Sequence, residues 1–394
     1  MADIVPTEQV LQQTRGFRWD AVPSTPERRA HFAAETATAP AAAPDLGGIA
    51  GFAGTFRGNG LNTIFRPQNV AAGSATTLAN PATGPNDNVL ELNLTQETLS
   101  FSAPLGSIPN RGTVQGDAFL NGIPYLQTIN DITDPGNPVG IHFEPGVWLS
   151  VPATTTPDEP ISVVRMASIP HGTTIEAQGT SFTLNGGPQI APVDITPFPI
   201  GNPGQPIKFP SQTAADTGTF RLPQDLTAFI AAGTITQGIL DNPNLVLKNR
   251  ADAQNIIATT VLAISTSPKA PLFGGGTTDI AFLLGNQDGS APNANAIQMS
   301  AIFWVETVTE TITVPAGTGK QPIIVAGSGN AGDPVVSYSV TAMTPSTEET
   351  VVEVWYTQIQ YTQTVLLNFN GLTWPHVSVA TLVPNEPVPV ALTT

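Results

Sequence analysis

Alternation of apolar and polar residues with a period of two runs through most of the chain, and it is cleanest between residues 353 and 382. There Trp355, Thr357, Ile359, Tyr361, Gln363, Val365, Leu367 and Phe369 fall on one face of an extended strand. Val354, Tyr356, Gln358, Gln360, Thr362, Thr364 and Leu366 fall on the other. Asn370-Gly371 is a tight hairpin turn, because both residues tolerate the positive φ that such a turn demands. The returning strand places Trp374, His376, Ser378, Ala380 and Leu382 on one face. The same period predicts strands over 88–94, 119–126, 140–152, 256–265 and 279–284, with breaks at 121–122 and 145–146. Residues 161–169 and 173–177 pair around Pro170-His171-Gly172, and 181–184 end at a glycine turn. A long strand over 296–312 carries Ile297, Met299, Ala301, Phe303 and Val305 on one face, and short strands follow at 322–325 and 335–342.

Ten to twelve strands with few helices predict an all-β fold, an antiparallel barrel or sandwich. Two segments depart from the pattern. Residues 1–45 read as a short helical arm, with helix starts at Thr7 and Pro26 and an Ala/Pro linker over 38–44. Residues 186–250 are Pro-rich and lack the period, so they are expected to form an insertion covering the body, with helices near 226–230 and 242–249. The domain expectation is therefore an arm at 1–45 and one β domain over 46–394, its tail after Pro384 extended. No repeat of 20–50 residues is seen.

Composition narrows the function classes. Gly and Pro number 36 and 38, which implies abundant turns, and only 11% of residues are charged against roughly 25% in an ordinary domain. The net charge of −16 argues against nucleic acid or an anionic membrane as partner, since both require a basic face. With no cysteine there is no disulfide, thiolate nucleophile or zinc–thiolate site. The first residues show no basic stretch followed by an apolar core, and no apolar run reaches membrane-helix length, so the expected location is the cytoplasm. A homo-oligomer is compatible with all of this.

Few known catalytic patterns occur. There is no G-x-S-x-G elbow and no H-E-x-x-H, and Gly274-Gly275-Gly276 lacks the Lys and helix of a phosphate loop. His142, Glu144 and His171 form a conceivable metal set, and Glu144 with Glu176 a conceivable pair of catalytic carboxylates. Trp148, Trp304, Trp355 and Trp374 are read as core.

Three stretches occur in a meaningful order: Gly54-Thr55-Phe56-Arg57-Gly58-Asn59-Gly60, then His142-Phe143-Glu144-Pro145-Gly146 with Ile169-Pro170-His171-Gly172 and Glu176 to Gly179, then His376-Val377-Ser378-Val379-Ala380-Thr381-Leu382. Together they resemble the nitrobindin family, small antiparallel barrels related to lipocalins that hold haem b. Phe56 stands where that family has Trp, and Ile169 where it has His. The resemblance implies a nitrobindin/lipocalin-like barrel, here enlarged by long loop insertions, with haem b ligated by His376. It implies a setting made by Trp374 and Ala380, and His171 or His142 on the distal side. Propionates would need a cation, for which Arg57, Arg66 and Arg165 are candidates. Reaction with nitric oxide, peroxynitrite or peroxide is the activity implied, peroxidase-like or peroxynitrite isomerase-like. The rival expectations are a carrier of another small hydrophobic molecule and a non-catalytic β-sandwich subunit.

Overall fold

A computed structural model describes residues 44–68, 87–329 and 333–392; the arm expected over 1–45 lies outside them but for its last two residues. Ten long strands form the body: β1 (Gly54–Gln68), β2 (Asp87–Phe101), β3 (Ala118–Asp131), β4 (Val139–Val151), β5 (Ser162–Ile169), β6 (Thr173–Asn185), β7 (Asn255–Ser265), β8 (Asn295–Val314), β9 (Thr350–Phe369) and β10 (Leu372–Pro384). Each pairs antiparallel with the next in sequence, and β10 pairs back onto β1, so the sheet closes as an up-and-down barrel with no open edge. The β9–β10 hairpin turns at Asn370 and Gly371, with φ of 49° and 76°. This end is called the bottom; Gly54 and Phe101 lie at the top.

Close backbone approach requires glycine at several points of the wall. A Cβ on Gly58 would lie 1.9 Å from the Thr381 carbonyl oxygen, and one on Gly179 would lie 1.8 Å from that of Ala263.

Inward positions in the top half form a dry plug. A 3-10 turn at Gly47–Ile49 drops Ile49 and Phe52 into the barrel end, where Phe52 stacks on Phe101 at 4.6 Å and packs against Trp148 at 5.2 Å. Burying one such side chain contributes roughly 1.5–3 kcal/mol, so the plug anchors the upper rim.

Residues 186–254 cross the outer wall of the barrel. Of their helices α1 (Thr227–Ala232), α2 (Gln237–Asp241) and α3 (Leu245–Asp252), the first and third lie close to the two expected near 226–230 and 242–249, and α2 was not expected. Ile195, Leu226, Leu240 and Leu247 bury against Leu61, Phe65, Val377 and Val379, which point outward from β1 and β10. The insertion is tied together by Arg221, fully buried without a carboxylate partner. Its guanidinium donates to the carbonyls of Ser211, Thr213, Ala214, Asp216, Pro223 and Gln224 instead. Above the barrel, β8 and β9 run on beyond the rim and pack on a small sheet of Ile323–Ala326, Ser337–Ala342 and Val388–Leu392.

Several local expectations are corrected. Pro145-Gly146 and Asn121-Gly122 do not break their strands. Residues 279–284 are the end of a four-residue strand, Gly276–Asp279, and a helical turn, Ala281–Leu284. The tail after Pro384 is not merely extended, since Val388–Leu392 pairs in parallel with Ser337–Ala342. Ile297 does not join Met299 on the inner face: a register shift between Ala296 and Gln298 leaves it 43% exposed and turns Ala296 inward. Trp355 is not core; it is 66% exposed where β9 has passed the barrel rim. No helix among the described residues is long and apolar enough to cross a membrane.

Candidate functional site

Below the plug the inward positions turn polar. Strict alternation carries Tyr125 and Gln127 on β3, His142 and Glu144 on β4, Arg165 on β5, Tyr361 and Gln363 on β9, and His376 and Ser378 on β10 into the barrel. Asn62 on β1 and Glu97 on β2 complete the ring.

Arg165 is the centre of the charged part. It is 1% exposed, and its guanidinium donates to Glu144 Oε1 at 2.5 Å, to Tyr125 Oη at 2.8 Å and to Gln363 Oε1 at 2.6 Å. It also lies within 6 Å of the Tyr125, Trp148 and Phe303 rings. Tyr125 donates its hydroxyl to Glu144 as well. His142 Nε2 donates to the other Glu144 oxygen at 3.1 Å. Burial alone would push the Glu144 carboxyl up; the Arg165 cation and the bonds from His142 and Tyr125 override it and hold it down at about 2. The group is thus an ionised, fully satisfied cluster.

Glu97 behaves oppositely. It accepts from Tyr361, Thr95 and Gln127, yet has no cation, and burial pushes its carboxyl upward.

His376 sits lower, beside Val365 of β9. The ring is half-buried on the inward face of β10. Burial, with repulsion from His142 and His171, lowers its pKa to about 3, so the imidazole is neutral at physiological pH. Asn62 Nδ2 donates to His376 Nε2 at 2.9 Å and to Ser378 Oγ at 3.1 Å. In that arrangement the imidazole proton resides on Nδ1. The other amide atom, Asn62 Oδ1, is buried without a partner.

The three described histidines gather in the lower barrel, with the rings of His142 and His171 5.7 Å apart and His171 Nε2 donating to the Ile141 carbonyl at 3.1 Å. They do not assemble the metal set suggested by sequence: Glu144 is committed to Arg165, and no group of three or more His, Cys, Asp or Glu among the described residues could hold a metal ion. Haem makes a smaller demand on the protein, one neutral imidazole and a partly apolar wall. His376 meets the first, and Val365 lies opposite it on β9. Its Nε2 is taken up by the Asn62 amide, so a haem ligated there would require Asn62 to turn away.

Other sequence candidates lie elsewhere. Arg57 is exposed on the outer wall near the top, because odd positions of β1 face outward. Arg165 is engaged with Glu144 and has no free donor fork for a propionate at the mouth. Arg66, on the inward phase of β1 at the bottom, is paired with Glu91 at 2.6 Å. Trp374 is stacked on Phe369 at 4.7 Å and packs against Phe65 and against Phe209 of the insertion, donating its indole N–H to the Phe369 carbonyl. Ala380 belongs to the upper plug. Glu176 is exposed on the outer face of β6 while Glu144 is inside, so the two carboxylates do not face one another. Asn62, Tyr125 and Gln127 escaped the sequence reading, and the available signal was a polar residue in the inward phase of an otherwise apolar strand.

Fold and site define a ten-stranded up-and-down barrel with a plugged top and a polar, histidine-bearing lower lumen. No family model and no curated protein matches the chain. Among solved structures it is similar to the crystal structure of Rv2717c from M. tuberculosis, at a TM-score of 0.35 and 10% identity over 88% of this chain and 100% of that one. A likeness at that level carries no argument about function.

Proposed function

We propose that the lower lumen binds haem b with His376 as its one protein ligand to iron. The carrying observation is a neutral imidazole, half-buried on the inward face of β10. Haem would supply the redox and gas-binding chemistry. The chain's own residues hold the ring between β1 and β9, keep its lone pair unprotonated and exclude water through the plug above. His142, oriented by Glu144, is the residue we assign to the opposite side, where a hydrogen bond would act on nitric oxide, peroxynitrite or peroxide.

One observation favours a second reading. His376 Nε2 is already hydrogen-bonded, and Asn62 Oδ1 lacks a donor, which suits a small molecule bearing an N–H or O–H group. The two readings separate on titration with haemin. Under the first, wild type develops a Soret band, His376→Ala weakens binding by more than about a hundredfold, and Asn62→Ala, which frees Nε2, binds at least as tightly as wild type. Absence of a Soret band in wild type, or a band untouched in His376→Ala, overturns the haem reading.

A further inference from the structure

A second concavity lies on the outside of the barrel, separate from the lumen. Its floor is the outward face of β6, β7, β8 and β9; residues 185–193 form one wall and 267–272 the other. Its volume is about 1120 Å³, enough for an extended acyl chain. Outward alternation gives the floor an apolar strip, with Leu184, Val261, Ala263 and Trp304 inside and Phe182 and Ile302 at the open side, 55% and 37% exposed, flanked by polar Thr180, Gln298, Ser300, Thr362 and Thr364. Pro192, Pro268 and Pro271 stiffen both walls, which limits the ordering that binding would require.

Charge identifies the occupant. The chain carries 30 acidic residues, yet none lines this groove, and the one charged lining residue is Lys269. Lys269 is exposed and has no hydrogen-bond or ion-pair partner among the described residues. Glu159, which is bonded to the lining residue Gln178, accepts from Gln178 Nε2 and from the Phe273 amide, so its carboxylate is engaged with the protein. Trp304 Nε1 has no acceptor among the described residues, so the floor also offers an indole N–H.

We infer that this groove binds an amphiphilic carboxylate of the long-chain fatty-acid class, its chain along Val261, Phe182 and Ile302 and its carboxylate on Lys269. The lumen is a poor alternative for such a ligand, since the aromatic plug fills its upper half and the ionised Glu144 lies below it.

The test is equilibrium binding of a dansylated long-chain fatty acid to the full chain, followed by dansyl fluorescence. Wild type is expected to bind saturably. Lys269→Glu, at an exposed position without partners, is expected to weaken binding roughly three- to tenfold, and the methyl ester of the probe should not distinguish the two proteins. Ser300→Trp, which fills the groove from an exposed floor position, should abolish binding, with haemin titration reporting that the barrel is intact. No saturable binding in wild type overturns the inference. So does binding that survives both variants or is lost in His376→Ala, which would place the acid in the lumen.

Discussion

Arg165→Met is expected to destabilise the protein by about 3–5 kcal/mol, read as a lower urea midpoint at pH 7. The substitution keeps volume but leaves the Glu144 carboxylate in the barrel without its cation, and removes donors from Tyr125 and Gln363. Once the guanidinium is gone, only the bonds from His142 and Tyr125 oppose burial, and the Glu144 pKa moves up. The double variant Arg165→Met/Glu144→Gln is expected to recover part of the loss, because the uncompensated charge goes with it. In wild type Glu144 has a folded pKa near 2, below its unfolded value of 4.5. Its contribution is therefore complete above pH 4.5 and lost as pH falls toward 2. If both proteins unfold within about 1 kcal/mol of wild type, Arg165 does not organise the lumen.

Glu306→Gln is expected to reduce a loss of stability that wild type shows between pH 6.5 and 8. Glu306 points outward from β8 but is 1% exposed, covered by the insertion. Gln358 Nε2 donates to its Oε2 at 2.6 Å, and Oε1 has no partner. Burial raises its pKa from 4.5 to about 8, against the bond from Gln358 and the Arg250 charge. Between those values the folded protein holds a proton that the unfolded chain has released, so stability falls with rising pH by roughly 1.4 kcal/mol per unit. His376 works in the opposite direction. Its folded pKa of about 3 lies below 6.5, so the unfolded chain binds the extra proton and stability rises with pH over that window. From 4.5 to 6.5 the two slopes oppose one another, and above 6.5 the Glu306 slope persists after that of His376 has ended, with Glu97, also raised by burial, acting in the same direction as Glu306. Urea midpoints from pH 5 to 8.5 check this: a steeper decline above about 6.5 than below it in wild type, which Glu306→Gln flattens. A wild-type midpoint constant to pH 8 would show that Glu306 is already ionised in the fold.

Strand positions were legible because one face of every strand is buried. Burial on one side forces alternation, so Ile359 to Phe369 could be assigned to a common face, and Asn370-Gly371 could be placed as the turn. Errors arose where alternation met a local exception. The register shift after Ala296 inverted Ile297, and Trp355 kept its phase but ran past the rim into solvent. Arg57 kept the period too, but nothing local tells which of two alternating faces closes around a lumen. Arg221 in the insertion had no pattern to reveal it, since its acceptors are backbone carbonyls, which every residue carries.

Sequence alone determined that this chain is a run of antiparallel strands with a covering insertion, because period-two burial and turn chemistry act between neighbours. It also singled out His376 as an imidazole within an apolar strand. Closure of β10 onto β1 was decided only by the tertiary structure. So were the sorting of the inward face into a dry top and a polar bottom, and the meeting of Asn62 with His376 across 314 positions of sequence. Those depend on strand stagger around the barrel, a property of all ten strands at once that no single segment encodes.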